Sequence, residues 1–256
     1  RLQPIEIIKP FFVLITANLI SNSKEKNSNY SFFFSLIVLS AIIILLLNQP
    51  DIGQSILLIT TWLSIVFISG IKISYILVLF VILIFCSITL FSVFPEKFGY
   101  ITQRLNTFFD PTKGDNFQPD KALAAIKHGG LKGQGMGEGI LKDSVPEAHT
   151  DYIIAVIAEE FGSVISILVI SIFLYISYKI IKNCMKISDE NSKISLCGLS
   201  SLLIFQTFIH IGVNTSLLPT TGMTLPFLSY GGSSLIGSSI LAGVILNLTK
   251  NRFKYE

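Results

Sequence analysis

The stretch from Phe161 to Tyr178 reads F-G-S-V-I-S-I-L-V-I-S-I-F-L-Y-I-S-Y and contains no Asp, Glu, Lys or Arg. This run approaches the ~20 apolar residues that a helix needs to cross a bilayer. It follows directly on V-P-E-A-H-T-D-Y-I-I-A-V-I-A-E-E, which occupies Val145 to Glu160 and carries four carboxylates. Charged groups at membrane depth cost about 2.5–3.5 kcal/mol each on insertion scales and usually serve a function. We therefore look for a functional site first at Asp151.

The composition of the whole chain agrees with that of this stretch. Of its 256 residues, 51% are hydrophobic and only 14% are charged, whereas soluble domains carry about 25% charged residues. Uncharged runs recur at Tyr30 to Asn48, Ile52 to Ile71, Ile73 to Phe94 and Ile194 to Thr249, the last divided by a polar break near Asn214 to Thr221. With a weaker span from about Ile7 to Ile20, the sequence predicts seven transmembrane helices.

We expect an all-α, polytopic integral membrane helix bundle that forms one domain over residues 1–256. A large loop over residues 94–150 interrupts it. Lysines follow spans one, three, five and seven, so alternating spans place all of them on one side, which the positive-inside rule assigns to the cytoplasm. The large loop then lies outside. The chain does not begin with Met, and we expect further protein before Arg1; its three cysteines show no paired spacing.

Charged residues near the ends of two spans allow two interpretations each. Glu6 and Lys9 share one helix face at i, i+3, either as a structural ion pair or as a cavity-lining pair that holds a substrate or a neighbouring helix. Asp51 lies between the backbone breakers Pro50 and Gly53. It suits the N-cap of the next helix, where its side chain accepts hydrogen bonds from free amides, or a place in the same cavity.

The large loop is basic and contains six glycines between Gly129 and Gly139. A glycine-rich run indicates nucleotide binding only between a strand and a helix of a βαβ unit, and no strand pattern precedes this one. We therefore expect neither a nucleotide site nor a nucleic-acid partner. Arg104 is a candidate for binding an anionic group. His149 has no histidine at metal-ligand spacing, so no histidine metal site is expected. Glu159 and Glu160 should lie at the outer interface, and a straight helix beginning near Asp151 would place that residue roughly 13 Å beyond Glu160.

The last predicted span contains several backbone breakers and hydroxyl groups. Pro219, Gly222, Pro226, Gly231 and Gly232 interrupt it, and Ser229 and Ser233 add polar groups. Irregular backbone at membrane depth is tolerated where it is buried in protein or lines a cavity. The pattern predicts a discontinuous helix beside a substrate path, and close helix packing through small residues is the alternative.

Six segments in this order resemble the SEDS (shape, elongation, division and sporulation) family. They are Q-P-I-E-I-I-K at 3–9, Q-P-D-I-G-Q-S at 49–55, G-L-K-G-Q-G-M-G at 130–137, P-E-A-H-T-D-Y-I at 146–153, A-E-E-F-G at 158–162 and G-V-N-T-S-L-L-P-T-T-G-M-T-L-P-F-L-S-Y-G-G-S-S at 212–234. Ala148 favours the division branch over the elongation branch, which more often has arginine there. Ile5 departs from the family's usual serine, which touches helix-start capping only.

The resemblance implies a ten-helix protein, of which this chain would contain helices four to ten. It implies a peptidoglycan glycosyltransferase that polymerises lipid II at the outer face of the bacterial cytoplasmic membrane, with membrane lipids around it. Its partners would be a class B penicillin-binding protein and other divisome proteins. Alternatives are a flippase for lipid-linked precursors and a non-catalytic divisome scaffold.

For this chemistry the resemblance implies that Asp151 is the general base. The polyprenyl pyrophosphate leaving group needs Arg, Lys or a divalent cation to balance its charge. Arg104 and Lys9 are candidates by residue type, and no other cofactor is implied. The expected substrate or cavity residues are Glu6, Lys9, Asp51, Arg104, Glu147, His149, Ser229 and Ser233.

Overall fold

The computed structural model describes residues 3–25, 29–71, 95–110 and 117–250, and within them all regular structure is helical. The α-helices are α1 Pro4–Glu25, α2 Asn29–Asn48, α3 Ile52–Ile68, α4 Pro95–Phe109, α5 Phe117–Gly129, α6 Ile153–Cys184, α7 Glu190–Asn214 and α8 Gly232–Thr249. A short 3₁₀ helix occupies Leu141–Ser144. The all-α bundle expected from the sequence is confirmed.

Five of these helices are long and apolar enough to cross a membrane, namely α1, α2, α6, α7 and α8. Helix α3 is apolar and shorter, at Ile52–Ile68. Six of the seven predicted spans thus coincide with helices, and the chain is a multi-pass membrane protein. The predicted span from Ile73 to Phe94 lies outside the described residues.

Helix α7 lies at the centre of the bundle. It packs most extensively against α6, α3 and α1, and it also contacts α5 and α8. Leu196, Leu199 and Leu202 along α7 are almost completely buried. By contrast, α2 is apolar all round, and large side chains such as Ile37 and Leu45 stay exposed. A helix without a polar face suits contact with lipid, so α2 lies at the periphery.

Helix α6 is broken at Gly162, where φ is 85° and ψ is 169°. A positive φ is open to glycine at little cost. The break frees the carbonyls of Glu159 and Glu160, which accept hydrogen bonds from the loop amides of Gln134 and Gly135. The straight helix assumed for this stretch is therefore wrong beyond Glu160, but the break follows that residue and does not affect the spacing estimated between Asp151 and Glu160.

The expectation of a discontinuous last span is also wrong. Helix α8 begins at Gly232 and runs to Thr249 without a break. The prolines and earlier glycines lie before it, in a non-helical segment over residues 215–231. This segment folds back into the protein, since Met223 and Leu225 are buried and the backbone carbonyl of Met223 lies 2.7 Å from Nδ1 of His210.

Two cysteines that look unrelated in the sequence are neighbours in the structure. Helices α6 and α7 form a hairpin, and Sγ of Cys184 lies 2.7 Å from Sγ of Cys197. Both are free thiols. The spacing of the cysteines in the sequence does not predict this contact. When two helices form a hairpin, the position of the turn decides which residues meet.

Candidate active site

Asp151 occupies a tight turn immediately before α6. Glu147 has a positive φ of 56°, which turns its carbonyl towards the residues that follow. That carbonyl accepts hydrogen bonds from the amides of Thr150 at 3.1 Å and Asp151 at 3.0 Å. The Thr150 hydroxyl donates to the Glu147 carboxylate at 2.9 Å. Local hydrogen bonding thus holds Asp151 at the start of a helix.

The side chain of Asp151 faces the segment that precedes α8. A Cβ atom on Gly222, where φ is +58°, would lie 3.2 Å from Oδ2 of Asp151. A carboxylate in this half-buried position loses water. Burial, followed by the negative charges of Glu147, Asp51 and Glu6, raises the pKa of Asp151 to about 6. A pKa close to neutrality suits a general base, because proton transfer is most efficient when the pKa of the base lies near the working pH.

A second carboxylate lies across the same segment. Asp51 accepts hydrogen bonds from the amide of Gln54 at 3.1 Å and from the side chain of Gln3 at 3.3 Å. The predicted N-cap is thereby confirmed. Burial raises the pKa of Asp51 above its ordinary value, while the Gln54 amide and the charge of Lys9 oppose this shift. The backbone amide of Gln3 donates to Ser233 at 2.9 Å, so Ser233 joins the starts of α1 and α8.

Glu6 and Lys9 form a buried ion pair, with 2.7 Å between Lys9 Nζ and Glu6 Oε2. Each charge has a further partner. Gln54 donates to Glu6 at 2.7 Å, and Lys9 donates to Gln206 at 3.1 Å. The side chain of Gln206 in turn donates to the carbonyl of Thr224 at 2.9 Å. The predicted ion pair is confirmed, and it links α1 to α3, α7 and the segment before α8.

A cavity of about 590 Å³ opens beside the Asp151 turn. Arg104 lines it and donates to the carbonyl of Thr220 at 3.1 Å. The remaining lining combines aromatic rings with amide, hydroxyl and carboxylate groups. These residues are Tyr100, Gln103, Thr107, Phe108, Phe117, Gln118, Pro119, Asp120, Pro146, Ser216, Leu218 and Pro219. Pro146 connects the cavity with the turn that carries Asp151.

The residues of the chain also match a family of known proteins. A model of the FtsW/RodA/SpoVE family, described as cell cycle proteins, matches residues 1–254. This chain belongs to that family. Among its curated relatives, the probable peptidoglycan glycosyltransferase FtsW of Caulobacter vibrioides is 34% identical over 98% of this chain and 63% of its own length. The protein of the same name from Buchnera aphidicola of Baizongia pistaciae is 36% identical over 96% of this chain and 66% of its own. The chain thus spans less than two thirds of the length of these relatives.

Solved structures show that the FtsW/RodA/SpoVE fold is shared. A chain of a peptidoglycan synthase complex, described for its structural coordination of polymerization and crosslinking, matches with a TM-score of 0.76 and 23% identity. The match covers 98% of this chain and 71% of that one. The rod shape determining protein RodA of Thermus thermophilus matches with a TM-score of 0.61 and 24% identity, over 99% of this chain and 67% of RodA.

Within this family fold, the structure brings most of the predicted site residues into one region. A Cβ on Gly53 would lie 2.7 Å from Cβ of Thr221, so the segment before α8 passes between the start of α3 and Asp151. Asp51 and Asp151 therefore flank one strip of backbone. Arg104 reaches the same strip from the other side at Thr220.

Two of the predicted residues lie at the edge of this region. His149 and Glu147 lie on the Asp151 turn and are exposed. His149 accepts a hydrogen bond at its backbone carbonyl from the amide of Tyr230 at 2.8 Å. In the part of the chain that the structure describes, no group of three or more His, Cys, Asp or Glu side chains could hold a metal ion.

Glu159 is buried beneath the loop that precedes α6. Its carboxylate is completely buried and accepts hydrogen bonds from the amides of Leu141 at 2.8 Å and Lys142 at 2.6 Å. Nδ1 of His128 lies 3.0 Å from it. Glu160 pairs with the side chain of Lys142. The two carboxylates thus tie the glycine-rich loop to α6, since buried carboxylates need hydrogen-bond donors.

Three polar residues of the site were not predicted from the sequence, namely Gln54, Gln206 and Asn214. Gln54 and Gln206 complete the partners of Glu6 and Lys9, and Asn214 donates to the backbone carbonyl of Asp151 at 3.0 Å. The signal was present, because polar side chains inside apolar spans usually have a partner or a function. The partner itself could be found only from the fold.

Proposed function

We propose that this chain is part of a peptidoglycan glycosyltransferase that polymerises lipid II, with Asp151 as its general base. The half-buried carboxylate with a pKa raised to about 6 carries the proposal. The chain's relatives bear the name probable peptidoglycan glycosyltransferase FtsW. The name FtsW on both of these relatives favours the division branch.

In this reaction the acceptor sugar hydroxyl attacks the anomeric carbon of the donor sugar. Asp151 takes the hydroxyl proton as the new bond forms, and the bond from the anomeric carbon to the polyprenyl pyrophosphate breaks. A positioned base of this kind contributes about 10²–10⁴ in rate. The turn before α6 carries both the carboxylate and Pro146, which lines the cavity, and we expect a sugar carried on a lipid to reach the carboxylate from there.

The leaving group carries the charge of a pyrophosphate and needs cations. Arg104 is the better candidate of the two that the residue types suggested. It lies on the cavity wall with one nitrogen on the Thr220 carbonyl, whereas Lys9 is buried between Glu6 and Gln206. Lys9 therefore serves the structure beneath the site.

The remaining parts of the proposal concern place and partners. The site faces the outside of the bacterial cytoplasmic membrane, because the positive-inside rule assigns the lysines that follow the spans to the cytoplasm. A class B penicillin-binding protein and other divisome proteins would act with the enzyme. Such a pairing is supported by a structural neighbour, a peptidoglycan synthase complex that coordinates polymerization and crosslinking.

The test replaces Asp151 by Asn in the complete protein with its penicillin-binding partner. Labelled lipid II is supplied, and glycan products are resolved on a gel. Asp151→Asn keeps the size of the side chain and removes the base, so polymerisation should fall by at least about 10²-fold. Asp143→Asn, which changes another carboxylate of the same loop, is the matched control and should polymerise normally.

Two outcomes would contradict this proposal. Polymerisation by Asp151→Asn at the wild-type rate would show that another group is the base. Transport of lipid II across vesicles, with no polymer from any variant under conditions where the partner is active, would favour the flippase.

A further inference from the structure

Three consecutive backbone carbonyls around Asp151 are each held by a residue from elsewhere in the chain. The carbonyl of His149 accepts from the amide of Tyr230 at 2.8 Å. The carbonyl of Thr150 accepts from the hydroxyl of Ser229 at 2.5 Å. The carbonyl of Asp151 itself accepts from the side-chain amide of Asn214 at 3.0 Å. Successive carbonyls point in different directions, so holding all three fixes the backbone dihedral angles at Asp151.

We propose that Asn214 and Ser229 are positioning residues that orient the Asp151 carboxylate through its backbone. The inference rests on the proposed function, in which Asp151 is the base. It also assigns Ser229 a different role from the substrate contact expected from the sequence.

Asn214 uses the whole of its side-chain amide. It is completely buried at the end of α7. Its Nδ2 donates to the carbonyls of Asp151 and, at 2.8 Å, His210, while its Oδ1 accepts from the amide of Ala155 at 3.2 Å. The N-cap of α6, Tyr152, makes no side-chain capping bond, and the first amides of a helix need such partners. Asn214 therefore caps α6 from another helix and holds Asp151 with the same group.

The hydroxyl of Ser229 is also fully engaged. It donates its only proton to Thr150 and accepts from the amide of Leu225 at 2.8 Å, and the side chain is buried. A hydroxyl has one donor, so Ser229 has none left to offer a sugar or a phosphate. Its position ties the segment before α8 to the Asp151 turn.

This arrangement matters for a base because proton transfer requires hydrogen-bond reach to the acceptor hydroxyl. A misplacement of about 1 Å can cost on the order of 10²-fold in rate. We therefore expect Ser229→Ala and Asn214→Asp to lower kcat by about 10- to 100-fold while KM changes little. Asn214→Asp keeps the acceptor for Ala155 and removes the donor to Asp151. Ser229→Thr keeps the hydroxyl and should restore most of the rate.

The decisive experiment combines each change with Asp151→Asn in the complete protein and its partner, with lipid II polymerisation as the readout. A positioning residue acts through Asp151, so Ser229→Ala should cost nothing further once Asp151 is Asn. Ser177→Ala, which changes a different buried serine, on α6 and far from the turn, is the control and should behave as wild type. Thermal unfolding of every variant shows that it is folded.

Three results would overturn the proposal. The first is a wild-type kcat in Ser229→Ala and Asn214→Asp. The second is a loss of rate from Ser229→Ala that is as large in the Asp151→Asn background as in the wild type, and the third is a Ser229→Thr variant as slow as Ser229→Ala. The proposed function fails separately, through full activity of Asp151→Asn alone.

An independent observation concerns the thiols of Cys184 and Cys197, 2.7 Å apart across the α6–α7 hairpin. We infer that they form a reversible dithiol–disulfide pair at the lysine-rich end of the bundle. Cys184 is buried and also contacts the carbonyl of Lys193 at 3.1 Å, whereas Cys197 is partly exposed. Cys197 is therefore the thiol that an oxidant reaches first, and Cys184 is in place to resolve the product.

The step balances with a peroxide as the oxidant. The Cys197 thiolate attacks hydrogen peroxide and becomes a sulfenic acid as hydroxide leaves and is protonated to water. The Cys184 thiol then displaces the second water and forms the disulfide, and a dithiol reductant reverses the reaction. Thiols are kept reduced in the cytosol, and the disulfides that do form there are usually transient, catalytic or redox-sensing. The pair would therefore be a dithiol at rest.

The purified complete protein is treated with hydrogen peroxide, and free thiols are then alkylated and peptides weighed. We expect one cross-linked peptide pair joining Cys184 to Cys197, lighter by about 2 Da than the two thiol peptides, and its loss after reduction. In Cys184→Ser, Cys197 should instead stop at the sulfenic acid. Full alkylation of both cysteines after peroxide, or sulfenic acid on Cys197 without a disulfide in the wild type, would overturn the inference.

Discussion

Acidification from pH 7 to pH 5 should slow glycan polymerisation about tenfold if Asp151 is the base. The pKa of Asp151 is raised to about 6 by burial and by neighbouring carboxylates. Its ionised fraction then falls from roughly 90% at pH 7 to roughly 10% at pH 5. An aspartate with the ordinary pKa of about 3.9 would still be about 90% ionised at pH 5. The structure and the ordinary value thus predict rates that differ almost tenfold at one pH.

The measurement is the initial rate at low lipid II concentration, which reports kcat/KM and therefore the ionisation of the free enzyme. Glu147→Gln removes the negative charge that, after burial, does most to raise the pKa of Asp151. The acid limb of its pH profile should move to lower pH. Glu138→Gln is the matched control, since Glu138 is an exposed carboxylate of the same loop and is not among the charges that act on Asp151.

Protonation of Asp151 at pH 5 should not lower the rate by unfolding the protein. Because its pKa is higher in the folded state, the folded protein binds the proton more tightly between about pH 3.8 and pH 6. Its contribution to stability is thus fully present below about pH 3.8 and is lost as the pH rises through about 6. A rate that is equal at pH 5 and pH 7 in folded protein would refute the reasoning, as would equal profiles for Glu147→Gln and the wild type.

The remaining predictions concern the buried pair, the helix break and the topology. Lys9→Met should strand the Glu6 charge at a cost of about 3–5 kcal/mol in unfolding free energy, and Glu6→Gln in the same chain should restore part of it; strictly additive losses in the double-mutant cycle would show that the charges are independent. Gly162→Ala should lower the free energy of unfolding by at least about 1–2 kcal/mol through the positive φ alone, and amide hydrogen exchange in the glycine-rich loop should become faster. Gly243→Ala is the control, because a Cβ atom there would meet no close neighbour. Equal melting temperatures for the two variants would contradict the prediction. A cysteine at Ser144 in an otherwise cysteine-free protein should react with an impermeant reagent in intact cells, and labelling only after lysis would place the loop in the cytoplasm.

The helices and the Glu6–Lys9 pair could be predicted because both depend on local spacing. Apolar runs of sufficient length decide the spans, and a separation of three residues on a helix brings two side chains to one face. The N-cap role of Asp51 is local in the same sense. These features need no knowledge of how the helices pack.

The roles of Asn214, Ser229 and Gln206 could not be predicted in this way. Each polar group is satisfied by a backbone or side chain far away in the sequence, as with Asn214 and Asp151. Their residue types indicated that these side chains form hydrogen bonds. Whether such bonds support the fold or the reaction depends on the hydrogen-bond partners, which only the fold shows. The break at Gly162 was missed for a related reason, since its stabilising contacts come from the glycine-rich loop.

In the proposed enzyme, the break at Gly162 would match the position of Asp151 to the thickness of the membrane. Residues 163–184 of α6 form a helix of about 33 Å, close to the ~30 Å hydrocarbon core. Residues 153–161 then belong to a separate short rod with its own tilt. If Asp151 is the base of the proposed reaction, that tilt sets the height of its carboxylate relative to the reacting bond of a substrate held by a lipid tail. A change in the backbone dihedral angles at Gly162 alone would alter the height of the Asp151 carboxylate without changing the length of the span.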